Sequence, residues 1–188
     1  MLLMAPSGSG KNTIVQGLGD LRDQLYFAKT FTSRTKREGA EENPNYEFLT
    51  REAYEQLISE NAFIEWAEFG GNLYGTPKSE ILDNLKQSQV VFKEMELQGV
   101  QQIKELVPDD HMTVIYIDAG SWEELEERIL SRAEIDPIEL ELRKQRYAEE
   151  VLFKEGAEII ISNRNGELES AQDNFRTVIA GIIAGLDK

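Results

Sequence analysis

Five short apolar runs punctuate the chain, "MLLMA", "LYFAKTF", "VVFKEM", "MTVIYI" and "AEIIIS", and stretches with helical periodicity separate them. Amphipathic helices are predicted near Asn12–Leu21, Gln98–Leu106 and Trp122–Arg132. Strands with almost no polar alternation need cover on both faces, and helices between successive strands provide it. The pattern therefore predicts an α/β fold with a parallel sheet. In such sheets ligands gather outside the carboxyl ends of the strands, where the loop after the first strand lies.

Residues 46 to 76 interrupt this rhythm. "YEFLT" and "AFIEWAEF" read as strands with a short helix between them, and "GGNLYGT" supplies glycine-rich turn chemistry. The stretch from Glu123 to Glu150 is charged and almost wholly helical, with Pro137 well placed to open its second helix. The apolar end, Val178 to Leu186, is too short to span a bilayer and reads as a terminal packing helix.

Composition narrows the chemistry. With 188 residues the chain suits one domain able to bury roughly 70% of its unfolded surface. It has no cysteine and a single histidine, His111, which removes disulfides, thiolate catalysis and cysteine- or histidine-built metal sites. There are 35 acidic and 20 basic residues, a net charge of −15. That balance disfavours nucleic-acid polymers and anionic membranes, and no signal peptide is visible, so a cytoplasmic protein is expected. A phosphate ligand would then require the few cations to be gathered in one place.

Directly after the first run comes Ala5-Pro6-Ser7-Gly8-Ser9-Gly10-Lys11. Glycines at 8 and 10 permit a backbone that turns several N–H groups inward, and Lys11 can reach the β- and γ-phosphates of a nucleotide. Asn12 stands where Ser or Thr commonly serves magnesium, with the Thr13 hydroxyl one residue later. Magnesium keeps several waters and leans on the nucleotide's own phosphates, so the expected cost is weaker magnesium positioning, and the loop alone leaves activity open.

Further along, "TFTSRTKREGAEENPNYEF" and "FIEWAEFGGNLYGT" follow in order. Together with "APSGSGK", "EMELQGVQQIKEL", the charged helices and "IIISN", they resemble the guanylate kinase family over nearly the whole chain. The resemblance implies a phosphate-loop kinase with a five-stranded parallel sheet flanked by helices, a small mixed α/β GMP-binding insert and a helical lid. It implies a single domain over 1–188, with core segments 1–30, 89–121 and 151–188, insert 31–88 and lid 122–150. It also implies phosphoryl transfer from ATP to GMP by a monomer or homodimer, with Mg2+ accompanying ATP near Asn12 and Glu94 and bound through phosphates and waters.

Residue by residue, it implies ATP contacts from Pro6, Ser7, Gly8, Ser9, Gly10, Lys11, Asn12, Thr13, Arg128 and Asn163. It assigns the GMP phosphate to Arg34, Arg37 and Tyr46, with Tyr74 as a further ligand, and the guanine to Glu65, Thr76 and Thr30. Glu96, where Asp is usual, also faces the substrate. Lys11, Arg34, Arg132 and Arg143 are expected to act in catalysis. The side chains agree chemically. Guanidiniums and phenols can ring a phosphate dianion, and one carboxylate matches the adjacent N1–H and N2 amino donors of guanine. Adenine would turn an acceptor toward that carboxylate.

Lys36 replaces a common proline, "REGA" departs from the usual Arg-x-Gly-Glu, and the acidic pair after Asn163 is displaced. Lys11, Arg34, Lys36, Arg37, Arg128, Arg132, Arg143, Lys144 and Arg146 make nine of the 20 basic residues, and the implied fold brings their three segments to one cleft. Two other readings compete. A kinase acting on a ribose phosphate needs no base-reading acid, and an inert guanylate-kinase-like binding module typically lacks the loop lysine and glycines.

Overall fold

A computed structural model describes residues 1–36, 44–87, 89–95, 97–132 and 134–186, without the side chains of Phe69, Leu97, Gln98, Arg132 and Leu186. Arg37 and Glu96 lie outside the described residues. Chain order is β1 (Leu2–Met4), α1 (Lys11–Gln16), β2 (Tyr26–Phe27), β3 (Thr30–Thr32), β4 (Tyr46–Phe48), α2 (Arg51–Ser59), β5 (Phe63–Phe69) and β6 (Asn72–Pro77). Then come α3 (Lys78–Lys86), β7 (Val91–Glu94), α4 (Leu97–Lys104), β8 (Val114–Asp118), α5 (Trp122–Arg132), α6 (Pro137–Glu150), β9 (Ile159–Ser162) and α7 (Leu168–Leu186). Two sheets form: a five-stranded one in the order β2-β7-β1-β8-β9, and a four-stranded one in the order β4-β3-β6-β5. The α/β class with a five-stranded parallel sheet, flanking helices and a smaller mixed sheet is thus the observed fold.

The chain divides into two compact units. One comprises 1–24, 94–97 and 110–188, the other 25–93 and 98–109. In the first, β1 and β8 run parallel, with Leu2 opposite Val114 and Met4 opposite Tyr116, and β8 pairs with β9 from Ile115↔Ile159 to Asp118↔Ser162. Every residue of β1 and β8 is buried, whereas β9, at the edge of the sheet, alternates with solvent. This is why β8 reads as an unbroken apolar run. Phe175 and Ile179 of α7 and Ile14 and Leu18 after the loop belong to the same buried set.

The helix predicted over Asn12–Leu21 is shorter than its pattern. α1 stops at Gln16, and a 3-10 turn follows over Gly19–Gln24. Gly19 has φ +54°, and α7 reaches over to satisfy the terminal carbonyls. Gln172 donates to the Thr13 carbonyl (2.9 Å), and Arg176 donates to those of Gly17 (2.9 Å) and Leu18 (2.7 Å). α5 and α6 pack through Trp122, Leu125, Ile129, Leu140 and Tyr147. Pro137 opens α6 as expected, and the Asp136 carboxylate caps it by accepting from the Ile138 N–H at 2.7 Å.

In the second unit the run "LYFAKTF" serves two sheets. Tyr26 and Phe27 pair with Val91 and Phe92 in the parallel sheet, and Ala28 N–H still donates to the Phe92 carbonyl. Glu80 then accepts from the Lys29 N–H at 2.8 Å, and the chain enters the mixed sheet at Thr30. "GGNLYGT" turns only at Gly70 and Gly71, both at positive φ (56° and 74°), and its remainder is strand β6. One face of this mixed sheet closes over Tyr54, Phe63 and Leu73, with Tyr54 stacked on Phe63 at a ring-centroid distance of 4.6 Å.

Candidate active site

In the first unit, the glycine loop runs from β1 into α1 with Gly8 at φ +89° and Gly10 at φ +84°, a region that side chains avoid. Close packing reinforces the need for glycine. A Cβ on Gly8 would meet Ile129 Cγ1 at 3.0 Å, and one on Gly10 would meet Asn163 Nδ2 at 2.7 Å. The Ser9 N–H donates to the Pro6 carbonyl at 3.0 Å and tightens the turn. Asn163, buried just beyond β9, donates from Nδ2 to the Ser9 carbonyl at 2.6 Å. Asn163 is thereby a brace under the loop, a role that its sequence position did not reveal.

Lys11 opens α1 and its ammonium lies 3.2 Å from Glu94 Oε2, both groups partly solvated. Such a pair contributes little to stability and leaves the lysine available to a stronger anion. Asn12 and Thr13 are both exposed beside it. A cavity of about 390 Å³ opens over the loop, with Met95, Tyr116, Arg146 and Glu150 on its other walls. Arg143 approaches from α6: its guanidinium donates to Glu139 Oε1 (2.6 Å from Nη2) and to Ser7 Oγ (3.4 Å). Arg128 is engaged elsewhere, donating to the Asn163 carbonyl (2.7 Å) and to Asn165 Oδ1 (2.6 Å). Of the arginines among those nine basic residues, Arg143 and Arg146 are thus at the loop, and Arg128 ties α5 to the turn after β9. Tyr116 and Glu150 had no signal in the sequence beyond a strand interior and a charged helix end.

At the carboxyl end of β8 stands Asp118, whose backbone carbonyl accepts from the Asn163 N–H at 2.8 Å. Lys154 donates to its Oδ2 at 2.6 Å and the Gly120 N–H donates to Oδ1 at 3.1 Å. Burial alone would raise this carboxyl, but Lys154, the Gly120 N–H and the Arg164 charge together hold it below the usual carboxylate range.

The second unit carries a row of polar side chains across the mixed sheet. Thr30 pairs with Tyr46, and Glu65 pairs with Thr76. β3 and β6 pair antiparallel with Phe31 opposite Gly75, a register that continues to Thr30 beside Thr76. The order across the sheet is therefore Tyr46, Thr30, Thr76, Glu65, and residues directly opposite one another share a face. Thr76 Oγ1 donates to Glu65 Oε1 at 2.7 Å. Tyr74, two residues before Thr76, lies on the same face, with its ring 6.4 Å from that of Tyr46.

Glu65 reaches this face through an irregularity. Phe63 pairs with Pro77 but Glu65 pairs with Thr76, so the register shifts by one between them. Without that bulge Glu65 would share the apolar face of Phe63. Between Tyr74 and Thr76, Gly75 is required for a steric reason: a Cβ there would fall 2.5 Å from both the Tyr54 hydroxyl and the Glu65 carbonyl oxygen. Arg34 follows β3, its N–H donating to Thr32 Oγ1 at 3.1 Å and its guanidinium 5.2 Å from the centre of the Phe48 ring.

A glycine loop between the first strand and first helix of a five-stranded parallel sheet, with an appended mixed sheet, defines a phosphate-loop kinase. Comparisons with known proteins make this specific. The family model "Guanylate kinase" matches residues 1–180. The guanylate kinase of Synechococcus sp. (strain JA-3-3Ab) is 37% identical over 179 residues, covering 95% of this chain and 81% of that one. That of Rubrobacter xylanophilus is 33% identical over 187 residues, covering 100% and 96%. The crystal structure of guanylate kinase from Anaplasma phagocytophilum superposes with a TM-score of 0.67 at 26% identity, covering 96% of this chain and 83% of that one. The chain belongs to the guanylate kinase family.

Proposed function

We propose that the chain transfers the γ-phosphoryl group of ATP to a phosphate oxygen of GMP, giving ADP and GDP. The observation that carries this reading is the polar row Tyr46–Thr30–Thr76–Glu65, with a carboxylate at one end of a ladder of hydroxyls. Its acid suits guanine N1–H and N2, and the Thr76 hydroxyl would donate to O6 after turning its one hydrogen away from Glu65. A kinase for a ribose phosphate has no use for such a row, and an inert binding module has no use for a lysine in a glycine loop. The relatives favour neither alternative.

In the transfer, a GMP phosphate oxygen bonds to the γ-phosphorus as the bond to the ADP oxygen breaks. The acceptor is mostly ionised at neutral pH, its second pKa being about 6, so no general base is required. The protein contributes position and positive charge. We assign Lys11 and the loop N–H groups to the β- and γ-phosphates, Arg143 to the charge on the transferring group, and Asn163 to holding the loop that binds ATP. Arg132 joins Arg143 by the family resemblance. Arg34, Tyr46 and Tyr74 are assigned to the GMP phosphate, with Arg37, and Glu96 to the same substrate.

The Asn12 amide, the Thr13 hydroxyl and the Glu94 carboxylate form an all-oxygen donor set that suits magnesium, which would neutralise phosphate charge when bound with ATP. Among the described residues no group of three or more His, Cys, Asp or Glu side chains is placed to hold a metal ion. No helix among the described residues is long and apolar enough to cross a membrane, and we place the enzyme in the cytoplasm with ATP and GMP as its partners.

A coupled ADP-release assay with GMP, AMP, UMP and ribose 5-phosphate offered in parallel tests the reading. GMP is expected to support turnover at least about a hundredfold better than the others by kcat/KM. Comparable rates with AMP, or ADP release only with the ribose phosphate, would refute it.

A further inference from the structure

A buried cation of the second unit has no place in the assignments above. Lys93 sits in the middle of β7 and is only 4% exposed, an unusual position for an ammonium group. Its Nζ donates to Thr30 Oγ1 at 2.6 Å and to the Ala28 carbonyl at 3.2 Å. A buried charge is expensive to hold, and a hydrocarbon would fill such a strand position more cheaply. The short bond to Thr30 indicates what the charge accomplishes.

A threonine hydroxyl has one O–H donor and two lone pairs, and it ordinarily rotates to suit whichever partner arrives. With an ammonium hydrogen on its oxygen, its own hydrogen must point away from Lys93 and the remaining lone pair is less basic. Thr30 becomes a donor. In the row, Thr30 stands beyond Thr76 on the side away from Glu65. If Glu65 takes guanine N1–H and N2, the purine edge continues past O6 toward N7 along that same direction. Guanine offers acceptors at both atoms, whereas adenine offers an amino donor at position 6.

We propose that Lys93 is a positioning residue for base selection, fixing the Thr30 hydroxyl as a donor to the 6-oxo edge of the purine and so favouring GMP over AMP. This rests on reading the row as the purine site. The test compares steady-state kinetics and thermal unfolding of wild type, Lys93→Met, Lys93→Gln and Thr30→Val, with GMP and AMP as acceptors. For Lys93→Met, KM for GMP is expected to rise about tenfold with kcat and KM for ATP within about twofold, and the GMP/AMP preference to fall by the same tenfold. Lys93→Gln, which keeps an N–H donor for Thr30, should recover most of the preference. If Lys93→Met is too unstable to assay, Lys93→Leu carries the same arm.

An unchanged GMP/AMP ratio in a folded Lys93→Met protein would overturn the proposal, as would parallel losses of GMP and ATP affinity, which indicate a structural role only. Thr30→Val separates the two possible failures. If it raises KM for GMP while Lys93→Met does not, Lys93 is wrongly assigned and the row stands. If neither Thr30→Val nor Glu65→Gln alters KM for GMP, the row is not the purine site and the proposal falls with it.

Discussion

Glu65 owes its position to one extra residue in β5. The sequence shows it flanked by Ile64 and Trp66 in an apolar strand, where strict alternation places it beside Phe63 and Ala67. The bulge at Ile64 separates it from Phe63, whose partner is Pro77, and aligns it with Thr76. The Thr76 hydroxyl donates to its Oε1 at 2.7 Å, and a carboxylate oxygen has lone pairs for more than one donor. Replacing it by glutamine exchanges one acceptor for a donor that opposes the guanine N–H groups. Glu65→Gln should lower kcat/KM for GMP by about a hundredfold and leave that for AMP within a few-fold, measured as a ratio of initial rates. An unaltered ratio would remove Glu65 from base reading.

At the scale of elements, what was legible followed from strong, local signals. β1, β7, β8 and β9 each coincide with an apolar run, and Pro137 with the start of α6, because burial on both faces and a fixed φ leave a mark on composition. The misplaced boundaries have tertiary causes. α1 is cut short where α7 supplies Gln172 and Arg176 to its last carbonyls, and "LYFAKTF" changes sheets where Glu80 captures the Lys29 N–H. No window of a dozen residues contains those partners. The site divides in the same way: the glycine loop and the "YGT" pair were readable as motifs, whereas the Asn163 brace, the Arg128 tie and buried Lys93 depend on contacts from distant segments.

One such tie is testable by pH. Lys154 anchors the 3-10 turn Val151–Gly156 to the end of β8 through Asp118. Its folded-state carboxyl titrates below the unfolded value, so the stabilisation is present above about pH 4 and is lost as pH falls through the lower, folded-state pKa. Asp118→Asn should cost about 1–2 kcal/mol in urea unfolding at pH 7, with the gap to wild type closing below about pH 4. A difference that stays constant from pH 7 to pH 3 would show that the carboxylate charge contributes nothing.

Over the whole molecule, a net charge of −15 makes the location of each cation informative. Lys11, Arg143 and Arg146 lie around the glycine loop of one unit, and Arg34 and Lys93 belong to the unit that carries the polar row. The Lys11–Glu94 pair is weak and solvated, so an arriving polyphosphate competes for Lys11 against a single carboxylate. Family membership fixes the reaction class, and the placement of these cations is what the proposed phosphate contacts rest on.

The most direct measurement is ADP release by Lys11→Ala at saturating ATP and GMP, run beside calorimetric titration of GMP into the same protein. Turnover should fall by at least about a thousandfold while the GMP affinity stays within about threefold of wild type. Undiminished turnover in the variant would contradict the account.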